Sequence, residues 1–222
     1  MKKVLLTGKV ASGKSFCCKV FKVFGCKIIS SDGLNNLALK RFGFVSKVSH
    51  ICPEMMLDSK KLSVKKDFLR KIIFSPDDYN HYAKTTYSSQ KINEIREIII
   101  SNLHRYIKRM RNILLNYYQE RNIWIVICEI PLFFEYNVQE NFDLKILLQT
   151  NKIIRKKRFS IRYKGDHCDE IFENIEKMHF ISDEEKINKC DIVIENHSKI
   201  KTVFTVMIVI FRIYFSKIFK IS

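Results

Sequence analysis

The chain has 222 residues, and its 40 lysines and arginines against 23 acids give a formal net charge of +17. An apolar share of 46% lets a chain of this length bury a core and excludes an intrinsically disordered protein. Seven cysteines with no CxxC pair speak against a disulfide framework or a zinc site and fit reduced thiols in the cytosol.

The chain opens with an apolar run, Lys3 to Thr7, that enters a glycine-bearing loop. Its core, Val4 to Leu6, is too short for a signal-peptide core and reads as a strand. Ser15 to Phe24 reads as a helix ended by Gly25, and Lys27 to Ser31 as a second strand, so the chain begins as a βαβ unit. Leu34 to Ser63 is less regular, and Lys65 to Phe74 looks helical. Ser75-Pro76-Asp77-Asp78 is a helix start: serine can cap, proline suits the first turn and acids suit the positive helix end. Helical periodicity runs on to Gln119, with polar breaks near Thr85 to Ser89. Ile123 to Ile130, Leu144 to Leu148 and Asp191 to Ile194 are short apolar runs typical of parallel strands buried on both faces. Between the last two, Asn151 to Lys189 is charged and reads as helical and exposed. Val203 to Phe219 is apolar but interrupted by Arg212 and Lys217. It reads as a final core helix on the sheet, with an amphipathic interfacial helix as the alternative, and no stable membrane insertion is expected. The alternation predicts an α/β three-layer fold with a mostly parallel five-stranded sheet and a helical insertion.

Gly8-Lys9-Val10-Ala11-Ser12-Gly13-Lys14-Ser15 matches G-x-x-x-x-G-K-[ST] and lies between a strand and a helix, the context that a phosphate-binding P-loop requires. Glycines let successive N–H groups curl inward around phosphate oxygens, and the following helix offers its positive end. Gly8, Ala11, Ser12, Gly13, Lys14, Ser15 and Phe16 are therefore the expected ATP-phosphate site, with Lys14 reaching the β- and γ-phosphates and Ser15 holding Mg²⁺. Asp32 closes the KIISSD run at the carboxyl end of a strand, where it could position an acceptor hydroxyl or take its proton, or be a helix cap. Glu129 and Glu135 bracket Pro131 after the long apolar strand. Glu129 is either an acid near the metal or a strand-end acid with a local hydrogen bond. Lys152 to Lys164 is dense in cations; Arg158 and Arg162, four apart, share a helix face and are candidates to stabilise transferred phosphoryl oxygens from a mobile lid. The basic balance attracts polyanions, but no RNA-binding motif with interleaved aromatics accompanies it, so nucleic acid is not an expected partner.

In its ordered motifs the chain resembles the dephospho-coenzyme A kinases. LLTGKVASGKS is similar to that family's LTGGIGSGKS, and KIISSD to its strand ending in D-x-D, with Asp32 on the second, catalytic aspartate. EIPLFFE, Glu129 to Glu135, is similar to DxPLLFE, and EEKINKCDIVIEN, Glu184 to Asn196, to EEKxxxADxVIxN. LRKIIFSPDD, Leu69 to Asp78, fits the helix before the family's acceptor-binding region. The resemblance implies ATP-dependent phosphorylation of the ribose 3′-hydroxyl of dephospho-CoA in the cytoplasm. It implies a nucleotide core over 1–33, 121–150 and 190–222, an acceptor-binding insertion over 34–120 and a lid over 151–185. It places Asn196 near the nucleotide and leaves the oligomeric state open. The departures are Ser30 for the first aspartate, Lys9 and Ala11 for loop glycines, Phe16 for threonine, Lys66 for an arginine, Tyr87-Ser88 for a His-Pro pair and Phe180 for a glutamine in the lid. A different small-molecule P-loop kinase and a weakly active family member are the competing readings.

Overall fold

The computed structural model describes every residue except 53–55, 58–62, 65–68, 70, 71, 74–78, 139, 164–167 and 219–222. The chain falls into two compact units, one of residues 1–30 with 117–222 and one of residues 31–116.

The first unit opens with β1 (Lys2–Thr7), α1 (Lys14–Val23) and β2 (Lys27–Ser30). α1 starts one residue earlier than its sequence pattern predicts, because Gly13 serves as its N-cap with φ of 99°. The second unit holds α2 (Ser31–Ala38), α3 (Phe42–Ile51), a short antiparallel pair β3 (Met56–Leu57) and β4 (Ser63–Val64), α4 (Tyr79–Ala83) and most of α5 (Ser89–Glu120). The stretch expected to be irregular, 34–63, thus contains two helices. Asp32 does not close a strand; β2 stops at Ser30 and Asp32 lies in the first turn of α2, where an acid suits the helix dipole. The helix start expected at 75–78 lies outside the described residues, as does Lys66. The expected polar break is present: residues 85–88 are non-helical, and the Asn80 carboxamide oxygen accepts from Tyr87 N at 2.9 Å. Ser88 then caps α5 by accepting from Lys91 N at 3.2 Å. α5 buries Ile92, Ile95, Ile99, Leu103 and Ile107, the stripe expected of a helix with one apolar face.

The first unit resumes with β5 (Ile125–Glu129), β6 (Leu144–Gln149), α6 (Lys152–Arg162), α7 (Cys168–Lys177), α8 (Asp183–Asn188), β7 (Ile192–Glu195) and α9 (Lys199–Ile218). Its sheet has the order β2-β5-β1-β6-β7 with every pairing parallel. All five residues of β5 are buried, which explains its unbroken apolar sequence. β1 sits centrally, and the chain leaves it first toward β2 and later toward β6 and β7. The crevice outside its carboxyl end is therefore the switch point at which open parallel sheets bind ligands.

Val4, Leu6, Phe21, Ile127, Ile146, Leu148, Ile194, Val206, Val209 and Ile210 form the core beneath that edge. Phe21 is wholly buried, worth about 1.5–3 kcal/mol. Cys17 belongs to the same core, and burial pushes its thiol up to about 12, so it packs as a small apolar group. None of the seven cysteines is in a disulfide. α9 packs on α1 and β7 as a core helix, with Val206, Val209 and Ile210 inward. The described residues of 151–189 are mostly helical, as expected, but not simply exposed: Arg155, Phe172, His179 and Lys186 are all buried.

Candidate active site

Three devices shape the loop between β1 and α1. Gly8 and Gly13 adopt φ of 150° and 99°. A Cβ on Gly8 would lie 2.4 Å from the Leu148 carbonyl oxygen, and one on Gly13 would lie 2.0 Å from Asn196 Nδ2. Both positions therefore demand glycine. Ala11, standing where the family has a third glycine, takes φ of 55° and carries the strain of a left-handed alanine, roughly 1–2 kcal/mol.

The second device fixes a peptide plane. Asn196, just past β7 and buried, donates from Nδ2 to the Ser12 carbonyl at 2.7 Å. Its Oδ1 accepts from Thr202 Oγ1 at 2.8 Å, which sets the orientation of the carboxamide. The Thr150 hydroxyl also lies 3.0 Å from the Ser12 carbonyl oxygen. In a trans peptide the carbonyl and the following N–H point in opposite directions. Anchoring the Ser12 carbonyl to Asn196 and Thr150 thus turns the Gly13 N–H away from them, into the loop and beside the start of α1. The third device is the Lys14 ammonium, which donates to the Gly8 and Lys9 carbonyls at 2.7 and 2.9 Å and closes the loop on itself.

α6 lies behind this loop. Arg158 donates from Nη2 to the Asn196 carbonyl at 3.0 Å. Its Nη1 is buried and has no hydrogen-bond partner, and it lies 3.7 Å from the position of a Cβ on Gly13. A buried cationic donor left open beside a phosphate-binding loop fits an anionic ligand oxygen. Arg162, one turn on, is exposed, so the two arginines share a helix but not an environment. Ser15 is exposed in the first turn of α1, Phe16 is partly buried against the core, and Glu129 is buried at the carboxyl end of β5, opposite Leu6 in β1. Burial, and then the charge of Glu129, push the Cys18 thiol upward, so it packs as an apolar group behind the loop. The structure thus gathers Gly8, Ala11, Ser12, Gly13, Lys14, Ser15, Asn196 and Arg158 in one unit. Asp32 belongs to the other unit.

Sequence reasoning misses two further groups. Arg155 is buried and grips Glu176 of α7 through two contacts of 2.6 and 2.7 Å, while also donating to the Thr150 and Val10 carbonyls at 3.1 and 3.3 Å. Burial works to raise the Glu176 pKa, but the Arg155 pair overrides it and holds the carboxyl below its ordinary range. Its only signal is the spacing 155, 158, 162 within a run where every cation looks alike. The other group is Glu135, His179 and Lys186, all buried. Lys186 pairs with Glu135, and His179 Nδ1 lies 3.1 Å from the same carboxylate oxygen. Burial alone would raise Glu135, yet hydrogen bonds to His179 and Lys186 bring it below the ordinary carboxylate range. Burial lowers the His179 pKa despite Glu135, so His179 is neutral and donates its Nδ1–H to the carboxylate.

A phosphate loop after the central strand of a five-stranded parallel sheet, with cationic helices behind it, defines a P-loop kinase. The sequence profile of dephospho-CoA kinase matches residues 3–202, and the chain belongs to that family. The family is one of ATP-dependent transferases that complete coenzyme A synthesis. Dephospho-CoA kinase of Chlamydia abortus is 30% identical over 88% of this chain and 87% of its own. That of Fusobacterium nucleatum is 25% identical over 90% and 91%. A crystal structure from Thermus thermophilus aligns with a TM-score of 0.70 at 17% identity, over 95% of this chain and 96% of its own. Dephospho-CoA kinase from Campylobacter jejuni aligns with a TM-score of 0.58 at 23% identity, over 96% and 97%. Among the described residues no helix is long and apolar enough to cross a membrane.

Proposed function

We propose that this chain transfers the γ-phosphoryl group of ATP to the ribose 3′-hydroxyl of dephospho-CoA, giving coenzyme A and ADP. The observation that carries the reading is the fixed Ser12–Gly13 peptide: with its carbonyl tethered, the Gly13 N–H and the α1 N-terminus are aimed before any ligand arrives. Lys14 exchanges the Gly8 and Lys9 carbonyls for β- and γ-phosphate oxygens, and Arg158 Nη1 takes an oxygen of the transferred group. Arg162, at the exposed end of α6, reaches phosphate only as α6 to α8 close as a lid. Asp32 orients the 3′-hydroxyl or takes its proton as the new P–O bond forms and the bond to the β-phosphate oxygen breaks. The residues suit Mg²⁺: the Ser15 hydroxyl would be a ligand, the buried Glu129 carboxylate would supply negative charge for it, and the ion would offset charge on the β- and γ-oxygens. Residues 31–116 receive the acceptor, and the free cysteines suit a cytosolic enzyme.

The test is coupled ADP release with Mg-ATP and dephospho-CoA, against AMP and shikimate as control acceptors. ADP release with dephospho-CoA alone, lost in Asp32→Asn, supports both acceptor and aspartate. Release with a control acceptor at equal rate would remove dephospho-CoA as the substrate, and full activity in Asp32→Asn would remove Asp32 from the chemistry.

A further inference from the structure

α9 turns one face to the core and leaves a second apolar face in solvent. Ile200, Phe204, Ile208, Phe211 and Phe215 are 47–70% exposed and recur every three or four residues. At 100° per residue they fall within about 80° of arc, a continuous stripe along the helix. Lys201 and Arg212, both exposed, lie along one border of it. Near the far end, half-exposed Trp124 stacks obliquely on Tyr214 at 5.5 Å, an amphipathic aromatic pair. Neither α9 nor its neighbour α1 contains a single acidic residue, although the chain has 23, and α1 adds the exposed Lys19 and Lys22.

We infer that the outer face of α9 is a docking surface for an anionic lipid bilayer, on which the protein lies peripherally. Cations alone would suit any polyanion, nucleic acid included, but a phenylalanine stripe gains nothing from a duplex and needs hydrocarbon to enter. A second copy of this chain would supply hydrocarbon, but pairing two such faces brings Lys201 and Arg212 of each into one seam with no acid on α9 to offset them. A bilayer surface rich in anionic headgroups satisfies both features: the stripe enters the acyl boundary, the cations meet phosphates and the Trp124–Tyr214 pair sits at the headgroup level. Because α9 also packs on the core, it stays in the bilayer plane and does not insert across it.

The experiment is co-sedimentation of the full chain with vesicles of phosphatidylcholine alone and of phosphatidylcholine mixed with phosphatidylglycerol. Wild type should pellet with the mixed vesicles, less so in high salt, and remain soluble with phosphatidylcholine alone. Phe204→Ser with Phe211→Ser should abolish pelleting. Lys201→Gln and Arg212→Gln should each lower partitioning about fivefold. All four positions are exposed, and an unchanged thermal midpoint shows that the variants remain folded. Failure of wild type to pellet with either vesicle, or equal pelleting with both, overturns the proposal. So does a wild-type dimer in solution that the double serine variant converts to monomer, since a second copy would then cover the stripe. None of these outcomes depends on the acceptor that the enzyme phosphorylates.

Discussion

Asn196→Asp tests the organisation of the phosphate loop with almost no change in size. Asn196 is 2% exposed and its side chain makes two buried hydrogen bonds, at 2.7 Å to the Ser12 carbonyl and 2.8 Å from the Thr202 hydroxyl. Aspartate keeps the acceptor for Thr202 but replaces the donor with a second oxygen facing the Ser12 carbonyl. Losing the bond costs about 1 kcal/mol, and leaving two oxygens opposed without water adds about 1–3 kcal/mol. The Ser12 carbonyl relieves this by rotating, and the Gly13 N–H rotates with it, out of line with the phosphates. If about 2 kcal/mol of the cost falls on the nucleotide-binding conformation, the ATP dissociation constant rises about 30-fold. Isothermal titration with a non-hydrolysable ATP analogue measures this, and Thr202→Val, which frees the carboxamide to flip, should show a smaller loss in the same direction. A folded Asn196→Asp protein with wild-type affinity would refute the claim that the Ser12 tether aims the loop.

Ala11→Gly should raise the thermal midpoint by about 2 °C, because relief of the left-handed alanine exceeds the added flexibility of the unfolded chain; scanning calorimetry reads it. Arg155 and Arg158 should separate by readout. Arg155→Met breaks a buried pair and should cost about 3–5 kcal/mol in denaturant unfolding. Arg158→Met should leave stability nearly intact and lower kcat roughly 10³-fold, since its open Nη1 faces the loop. Stability should fall as the pH drops below 6.5, the ordinary value from which burial lowers His179. The unfolded imidazole accepts a proton there that the folded one resists, so the contribution is complete above 6.5 and is lost toward the lower folded pKa. His104, lowered by burial and by Arg111, adds a slope of the same sign. His179→Gln should therefore reduce, not remove, the dependence seen in urea titrations between pH 7 and about 5.

The sheet was legible because buried parallel strands are continuous apolar runs, and β1, β2, β5, β6 and β7 all start or stop within two residues of their patterns. The loop was legible because Gly8, Gly13, Lys14 and Ser15 each answer a distinct chemical need. What the chain does not advertise is which cations leave solvent. Arg155, Arg158 and Arg162 are the same residue type at regular spacing, yet one is locked to Glu176, one faces the loop and one is exposed. That sorting comes from tertiary neighbours, Glu176 of α7 for Arg155 and the Asn196 carbonyl after β7 for Arg158, and local periodicity cannot encode it. The end of β2 was misplaced for a local reason: Ser31 and Asp32 suit a helix start as well as a strand end, and the helix won.

The contacts behind the phosphate loop also bear on how α6 to α8 communicate with it. Arg158 holds the Asn196 carbonyl, Arg155 reaches the Val10 carbonyl, and Lys9 pairs with Asp183 of α8 at 2.9 Å. Glu135, fixed just past β5, pairs with Lys186 of α8 and accepts from His179 between α7 and α8. α6, α7 and α8 are thus attached to the loop and to the sheet edge by several separate polar links. Polar links of this kind are directional, so a small rotation of α6 that brings Arg158 Nη1 toward a phosphate must also move the Asn196 carbonyl or break from it. The loop and these helices consequently adjust together. A loss at Arg155 or Lys186 should reach ATP affinity as well as stability, because both side chains act through these links.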